Sequence, residues 1–291
     1  MHYVEVAASP AIRTFVECLW ALDGPAPGAV LDPVFPDGHP ELIVHGGDRF
    51  AAVGADGTLA VQGPVLLAGQ MRHALTLSPL GHAHVVGARL GPHGLAAIFR
   101  GPAAELTDRV VDLDAIDPRL ARHLFADVAS RRTAEERLHA LDRALGRWAS
   151  VERIDPIVSV ACGIALASRG LTRVALLART TGLSARQFER RFGAQVGLSP
   201  KAFLRVVRFQ QVLRAVDAGP TPDWARLAVE LGFYDQPHFV NDFKAFTGHA
   251  PTDWNVPDGS LTALFSVGRR ATPLPSDVAF FQDAATCDPL A

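Results

Sequence analysis

Cysteine is scarce in this 291-residue chain: Cys18, Cys162 and Cys287 lie far apart with no C-x-x-C pair. That excludes a disulfide framework and a cysteine zinc cluster, and leaves the ordinary use of cysteine as a small buried hydrophobe. Long apolar runs are missing too. No stretch approaches about 18 uninterrupted apolar residues, so no membrane span is expected. The opening MHYVEVAASP has neither the basic stretch nor the apolar core of a secretion signal, and the cytosol is the expected address. An excess of one charge is also lacking: 28 Lys and Arg against 30 Asp and Glu give −2, which taken alone speaks against a polyanionic partner. What is present is 48% apolar and 20% charged residues, a globular composition, over a length that suits two domains of roughly 150 residues each.

The whole-chain charge hides a partition. Residues 151–255 hold 13 Lys and Arg against 9 Asp and Glu, a charge of +4, and the remainder holds 15 against 21, or −6. A mild basic excess therefore sits on the C-terminal half and favours a polyanion there. The text changes along the chain as well. Up to about residue 113 it consists of short apolar runs, ELIVH at 41–45, FAAV at 50–53, ALTL at 74–77 and HVVGARL at 84–90. Gly and Pro punctuate them roughly every 8–12 residues, the pattern of an antiparallel sandwich or small barrel. From residue 118 to 148 the spacing turns helical: Leu120, Leu124 and Val128 form one stripe, and Leu138, Leu141, Leu145 and Trp148 a second. The second stripe has two candidate uses, packing on its own N-terminal unit or pairing with a second copy of the chain. Helical text continues to Trp254, followed by a Pro-rich tail, 256–291, whose apolar knot VAFF at 278–281 suggests docking. The expected organisation is 1–113 β-rich, 114–150 a helical linker, 151–255 an all-α unit and 256–291 a tail, an α+β fold overall.

Laying 171–254 on itself exposes a repeat. Phe188 and Phe239, Phe192 and Phe243, Gly197 and Gly248, Pro200 and Pro251, and Phe203 and Trp254 stand 51 positions apart. Upstream the offset is 50, pairing Leu177 and Ala178 with Leu227 and Ala228, and Gly182 with Gly232, so the second copy carries one extra residue in its turn. The alanine lets two helices approach, and the glycine ends the first and reverses the chain. Ser184 with Gln187 makes a capping box for the next helix. Asp235 does the same work in the second copy, where Pro237 falls in the first turn. The Phe pairs at i and i+4 bury one face and leave the other free. Each copy is thus a helix-turn-helix, and a helix over 200–216 holds the two at a fixed separation, suited to two successive major-groove segments.

The block formed by Leu177, Ala178, Gly182, Ser184, the FERRF run at 188–192, GLSP at 197–200, Arg208, GFYDQ at 232–236, His238, Phe239, Phe243, Lys244, Gly248 and Pro251 resembles the DNA-binding domain of the AraC/XylS family of bacterial transcription regulators. The resemblance covers about 151–255. More faintly, PDG at 36–38, Gly63 and Pro64, and GARLGP at 87–92 resemble a β-rich sensor domain of one branch of that family. The resemblance implies double-stranded promoter DNA as partner, a small-molecule effector of unknown identity, and RNA polymerase and a second copy of the chain as further candidates.

On the first recognition helix, Arg186, Glu189 and Arg190 face away from the Phe pair. Arg can grip guanine O6 and N7 and Glu can accept from cytosine N4, so this trio suits G·C pairs; the alternative is a solvated face with an i, i+4 pair. Arg191 either supports the fold or touches phosphate. On the second helix Gln236 and Asn241 suit adenine, Val240 a thymine methyl and Lys244 a phosphate. Lys201 and Arg205 on the connecting helix are either backbone contacts or ordinary surface charges.

Histidines 39 and 45 with Glu41, or His82 with His84, are the metal candidates, but no Glu follows the H-x-H pair, and solvent-facing strand histidines are the expected outcome. No P-loop, G-x-S-x-G, H-E-x-x-H or G-x-G-x-x-G stands in a suitable context. Neither catalysis nor a metal or cofactor is expected. Trp20, Phe35 and Trp148 are read as core, and no pocket is expected from them. The alternative to a regulator is a small-molecule-binding or enzymatic β-domain joined to a helical protein-interaction module.

Overall fold

Alternation along each strand sorts the first half of the chain into layers. The computed structural model describes residues 1–26, 31–54, 56–217 and 222–254; the expected docking of the 256–291 tail lies outside them. Its strands are β1 (His2–Ala7), β2 (Val16–Pro25), β3 (Asp32–Val34), β4 (Glu41–His45), β5 (Phe50–Val53), β6 (Leu59–Val61), β7 (Val65–Ala68), β8 (Leu75–Pro79), β9 (His82–Leu90) and β10 (Val110–Asp112). They form a six-stranded sheet in the order β1-β2-β9-β4-β7-β10 and a four-stranded sheet in the order β3-β8-β5-β6, and every described pairing is antiparallel.

In the large sheet the odd and even positions part company. Leu19, Ala21, Leu42, Val44, Val86 and Ala88 join one apolar core, while Trp20, Leu22 and Val85 join another with Phe50 of the small sheet. The large sheet is therefore the middle layer, with the small sheet on one face. Helices cover the other face. After the single turn α1 (Leu95–Ile98) come α2 (Pro118–Ala129) and α3 (Ala134–Trp148). Asp117 caps α2 by accepting from the Arg119 and Leu120 amides, and Thr133 with Glu136 forms a capping box on α3. Leu120, Leu124, Val128, Leu138, Leu141 and Leu145 are all buried against the strands. Of the two uses open to the second stripe, packing on its own sheet is the one its leucines have; only Trp148 is exposed, with His123 beside it.

The second half is helical: α4 (Pro156–Ala167), α5 (Val174–Thr180), α6 (Ala185–Val196), α7 (Pro200–Asp217), α8 (Trp224–Glu230) and α9 (Gln236–Thr247). The repeat appears as α5-turn-α6 and α8-turn-α9. Gly182 and Gly232 both sit at positive φ, +68° and +67°, the left-handed geometry that reverses the chain where a Cβ would be strained. The Ser184–Gln187 capping box forms as expected, and Asp235 accepts from the His238 amide at 2.7 Å. The extra residue of the second turn lies around Tyr234, which is 92% exposed.

The two halves share two seams. Thr107 donates to the Gly197 carbonyl at the end of α6. At the second seam, the turn before β4 meets α7: Gln210 donates to the Pro36 carbonyl at 2.6 Å, and Phe35 packs on Phe209 and Trp254.

Candidate nucleic-acid interface and interior cavity

The outer faces of α6 and α9 follow from what the inner faces bury. Phe188, Phe192, Phe239 and Phe243 are at most 1% exposed, so positions between them on the helical wheel point to water. Arg186, Glu189 and Arg190 are exposed together on α6, and among the described residues no ion pair engages them. Gln236, Asn241 and Lys244 are exposed on α9, and Lys201 is exposed on the first turn of α7. Two residues stand elsewhere. Val240 is half-buried and packs on the helical core. Arg205 donates to both oxygens of Asp242 of α9 through Nε and Nη2, at 3.1 and 2.8 Å, and covers the Phe246 ring. It thereby fastens α9 to α7. Arg191 pairs with Asp155 at 2.7 Å, tying α6 to the cap of α4, so of its two uses supporting the fold is the one it has.

A second feature was not legible in the sequence. Between the two sheets lies a cavity of about 110 Å³, walled by Trp20, Phe35, Ile43, Phe50 and Leu77 and by the polar side chains of Asp37, His39, Glu41, His45, Gln62 and Arg89. Its far wall is α7, through Gln210 and Leu213. Two glycines make the arrangement fit. A Cβ on Gly87 would stand 2.3 Å from the Trp20 ring it lies under. Gly38, at φ +86°, brings the chain against Phe203 of α7.

Arg89 is the electrostatic centre. Register places it opposite Cys18 on β2 and Glu41 on β4, with Glu5 at 2.9 Å, Asp37 at 3.4 Å and Glu41 at 3.5 Å. Burial works against its charge, but Asp37 and Glu41 more than offset that and hold it protonated. Burial raises the Glu41 carboxyl to about 7, with Arg89 pulling down and Asp37 pushing up. Burial, and then the charge of Arg49, pushes His45 down to about 4. Of the histidines weighed as metal ligands, His39 bonds the Leu90 carbonyl and His84 bonds Asp23. Among the described residues no three His, Cys, Asp or Glu side chains come together as a metal site, and no described helix is long and apolar enough to cross a membrane.

Glu41 gives a stability test. Its folded value lies above its unfolded one, so between about pH 4.5 and 7 the folded chain holds a proton that the unfolded chain has released. Stability from this group is present at low pH and is lost as pH rises through 7. Glu41→Gln has no such loss. In paired thermal or urea melts its stability relative to the parent is expected to improve by about 2–3 kcal/mol from pH 5 to pH 8; a constant difference would contradict the assignment.

Residues 177–255 match a helix-turn-helix domain, and residues 4–112 match a domain of unknown function (DUF6597). No curated protein matches the chain. Among solved structures, ToxT from Vibrio cholerae is similar at 10% identity and a TM-score of 0.45, covering 80% of this chain and 96% of that one. ToxT of strain O395 bound to (E)-4-(8-methylnaphthalen-1-yl)but-3-enoic acid is similar at 9% identity and 0.45, covering 80% and 97%. Fatty-acid-bound ToxT of strain SCE256 is similar at 12% identity and 0.41, covering 80% and 93%.

Proposed function

The chain carries an AraC-type helix-turn-helix domain at residues 177–255, and from that premise we propose that it is a sequence-specific, DNA-binding regulator of transcription whose β-rich half senses a small molecule. In this reading α6 enters one major-groove segment with Arg186, Glu189 and Arg190, and α9 the next with Gln236 and Asn241, while Lys201 and Lys244 hold phosphate. The observation that carries it is the repeat itself: two helices with the same buried Phe pair, α6 and α9, joined in the chain through one helix, α7. The boundaries near 113, 150 and 255 divide sensor, helical cover and reader.

The cavity gives the regulator its input. Its wall includes α7, the helix that spaces the two reading units, so a ligand that presses on Gln210 or Leu213 alters their separation or firmness without an intervening relay. A ligand acts this way only by binding the two arrangements of α7 unequally. DNA binding is tested by titrating the full chain with duplex between 50 and 200 mM salt. Neutralising about four phosphates makes affinity fall roughly 100-fold over that range; binding that ignores salt, or none, would refute the reading.

A further inference from the structure

Two carboxylates, Asp37 and Glu41, line the cavity between the sheets against one guanidinium, and its unmet polar atoms are the Arg89 Nε–H, the two ring nitrogens of His45 and the Gln210 carbonyl oxygen. Three carboxylates, Glu5, Asp37 and Glu41, surround Arg89. Only the bond to Glu5 has ordinary length, 2.9 Å. Arg89 Nε stands 3.4 Å from Asp37 and 3.5 Å from Glu41 and makes no hydrogen bond to either. Both acids line the cavity with acceptor capacity to spare. Arg89 is the one Lys or Arg among the described lining residues.

Two more buried side chains bring unmet acceptors. His45 is 2% exposed, and with Gln62 beside it neither ring nitrogen has a hydrogen bond of normal geometry. With its pKa near 4 it is a neutral ring that offers one acceptor nitrogen and one N–H donor. Gln210 of α7 is 4% exposed; its amide nitrogen is spent on the Pro36 carbonyl, and its carbonyl oxygen has no partner. Buried polar atoms ordinarily find partners. A ligand carboxylate could take the Arg89 Nε–H but would stand against the like charge of Asp37 and Glu41, whereas an ammonium group would meet two carboxylates and the acceptors of His45 and Gln210. The rest of the wall is apolar and aromatic, with Trp20, Phe35 and Phe50.

The geometry points to a small, largely apolar or aromatic molecule bearing a single amine or amidine as the ligand of this cavity, its cation held by Asp37 and Glu41 and its polar hydrogens within reach of Gln210 on α7. This rests on the reading of the β-rich half as the sensor. The unmet Gln210 oxygen makes the ligand a bridge between the sheets and the helix that spaces the two reading units.

Three probes of matched shape test it on the full chain by calorimetric titration at pH 8: 2-phenylethylamine, 2-phenylethanol and 3-phenylpropanoate. The amine is expected to bind at least tenfold tighter than the alcohol, with the propanoate weakest. Asp37→Asn and Glu41→Gln are each expected to weaken the amine tenfold or more; the latter is the folded control, since charge removal is expected to favour its stability at this pH. Equal or tighter binding of the alcohol or the propanoate, or no measurable binding of the amine, would overturn the assignment. Repeating the duplex titration with each probe separates the two claims. If the propanoate or alcohol binds and shifts DNA affinity, the sensor reading stands and the charge assignment falls. If the amine binds as expected without shifting DNA affinity, the ligand class stands and the coupling through α7 falls.

Discussion

Arg190→Ala, and separately Arg186→Ala, is expected to weaken binding to the preferred duplex about 5- to 150-fold, or about 1–3 kcal/mol each, and to relax selection at one or two base pairs. Both guanidiniums are exposed beside Glu189 with no ion pair among the described residues to occupy them. Each can therefore approach a guanine edge without first giving up an internal partner. Lys201→Ala provides the contrast. Removing a phosphate contact should weaken all sequences alike and reduce the salt slope by about one. Competition against shuffled duplexes reads the difference; Arg variants with unchanged preference would mean that another face of α6 enters the groove.

Phe192→Ala is expected to cost about 3–5 kcal/mol of stability, a large share of the roughly 5–15 kcal/mol available to a domain. The ring is 0% exposed. It lies 5.5 Å from Phe188 on its own helix and 5.7 Å from Phe203 on α7, so truncation leaves a void where the first unit joins the spacer. Chemical denaturation monitored by circular dichroism should show the loss, and duplex affinity should fall for all sequences together. A loss under about 1 kcal/mol would show that the first unit does not hang on this contact.

The repeat was readable because each copy restates the other: the alanine, the glycine at positive φ, the cap and the Phe pair are local devices whose spacing survives in the text. Exposure of Arg186, Glu189, Arg190, Gln236, Asn241 and Lys244 followed from the same helical period. Arg205 did not follow, because its partner Asp242 stands 37 positions away and pairing across helices leaves no period to read. The leucine stripe of α3 was legible as buried but not as to its partner, since an apolar face fits its own sheet or a second chain equally well. The cavity was the least visible. Arg89, Glu41, Asp37 and Gln210 come from two strands, a turn and a distant helix; in the sequence Glu41 reads only as a metal candidate, and Asp37 and Arg89 only as parts of the motifs that resemble a sensor domain. The PDG motif did not show that its glycine passes against Phe203 of α7.

Selection of duplexes from a fully randomised pool by the intact chain tests the central claim most directly. Two tandem reading helices on one spacer are expected to enrich a site with two clusters of preferred bases about one helical turn, 10–10.5 base pairs, apart, the stronger cluster under α6 with its Arg186 and Arg190. A pool that emerges unenriched after repeated rounds, or that enriches a single cluster insensitive to both arginines, would contradict the assignment of this chain as a double-headed reader of DNA.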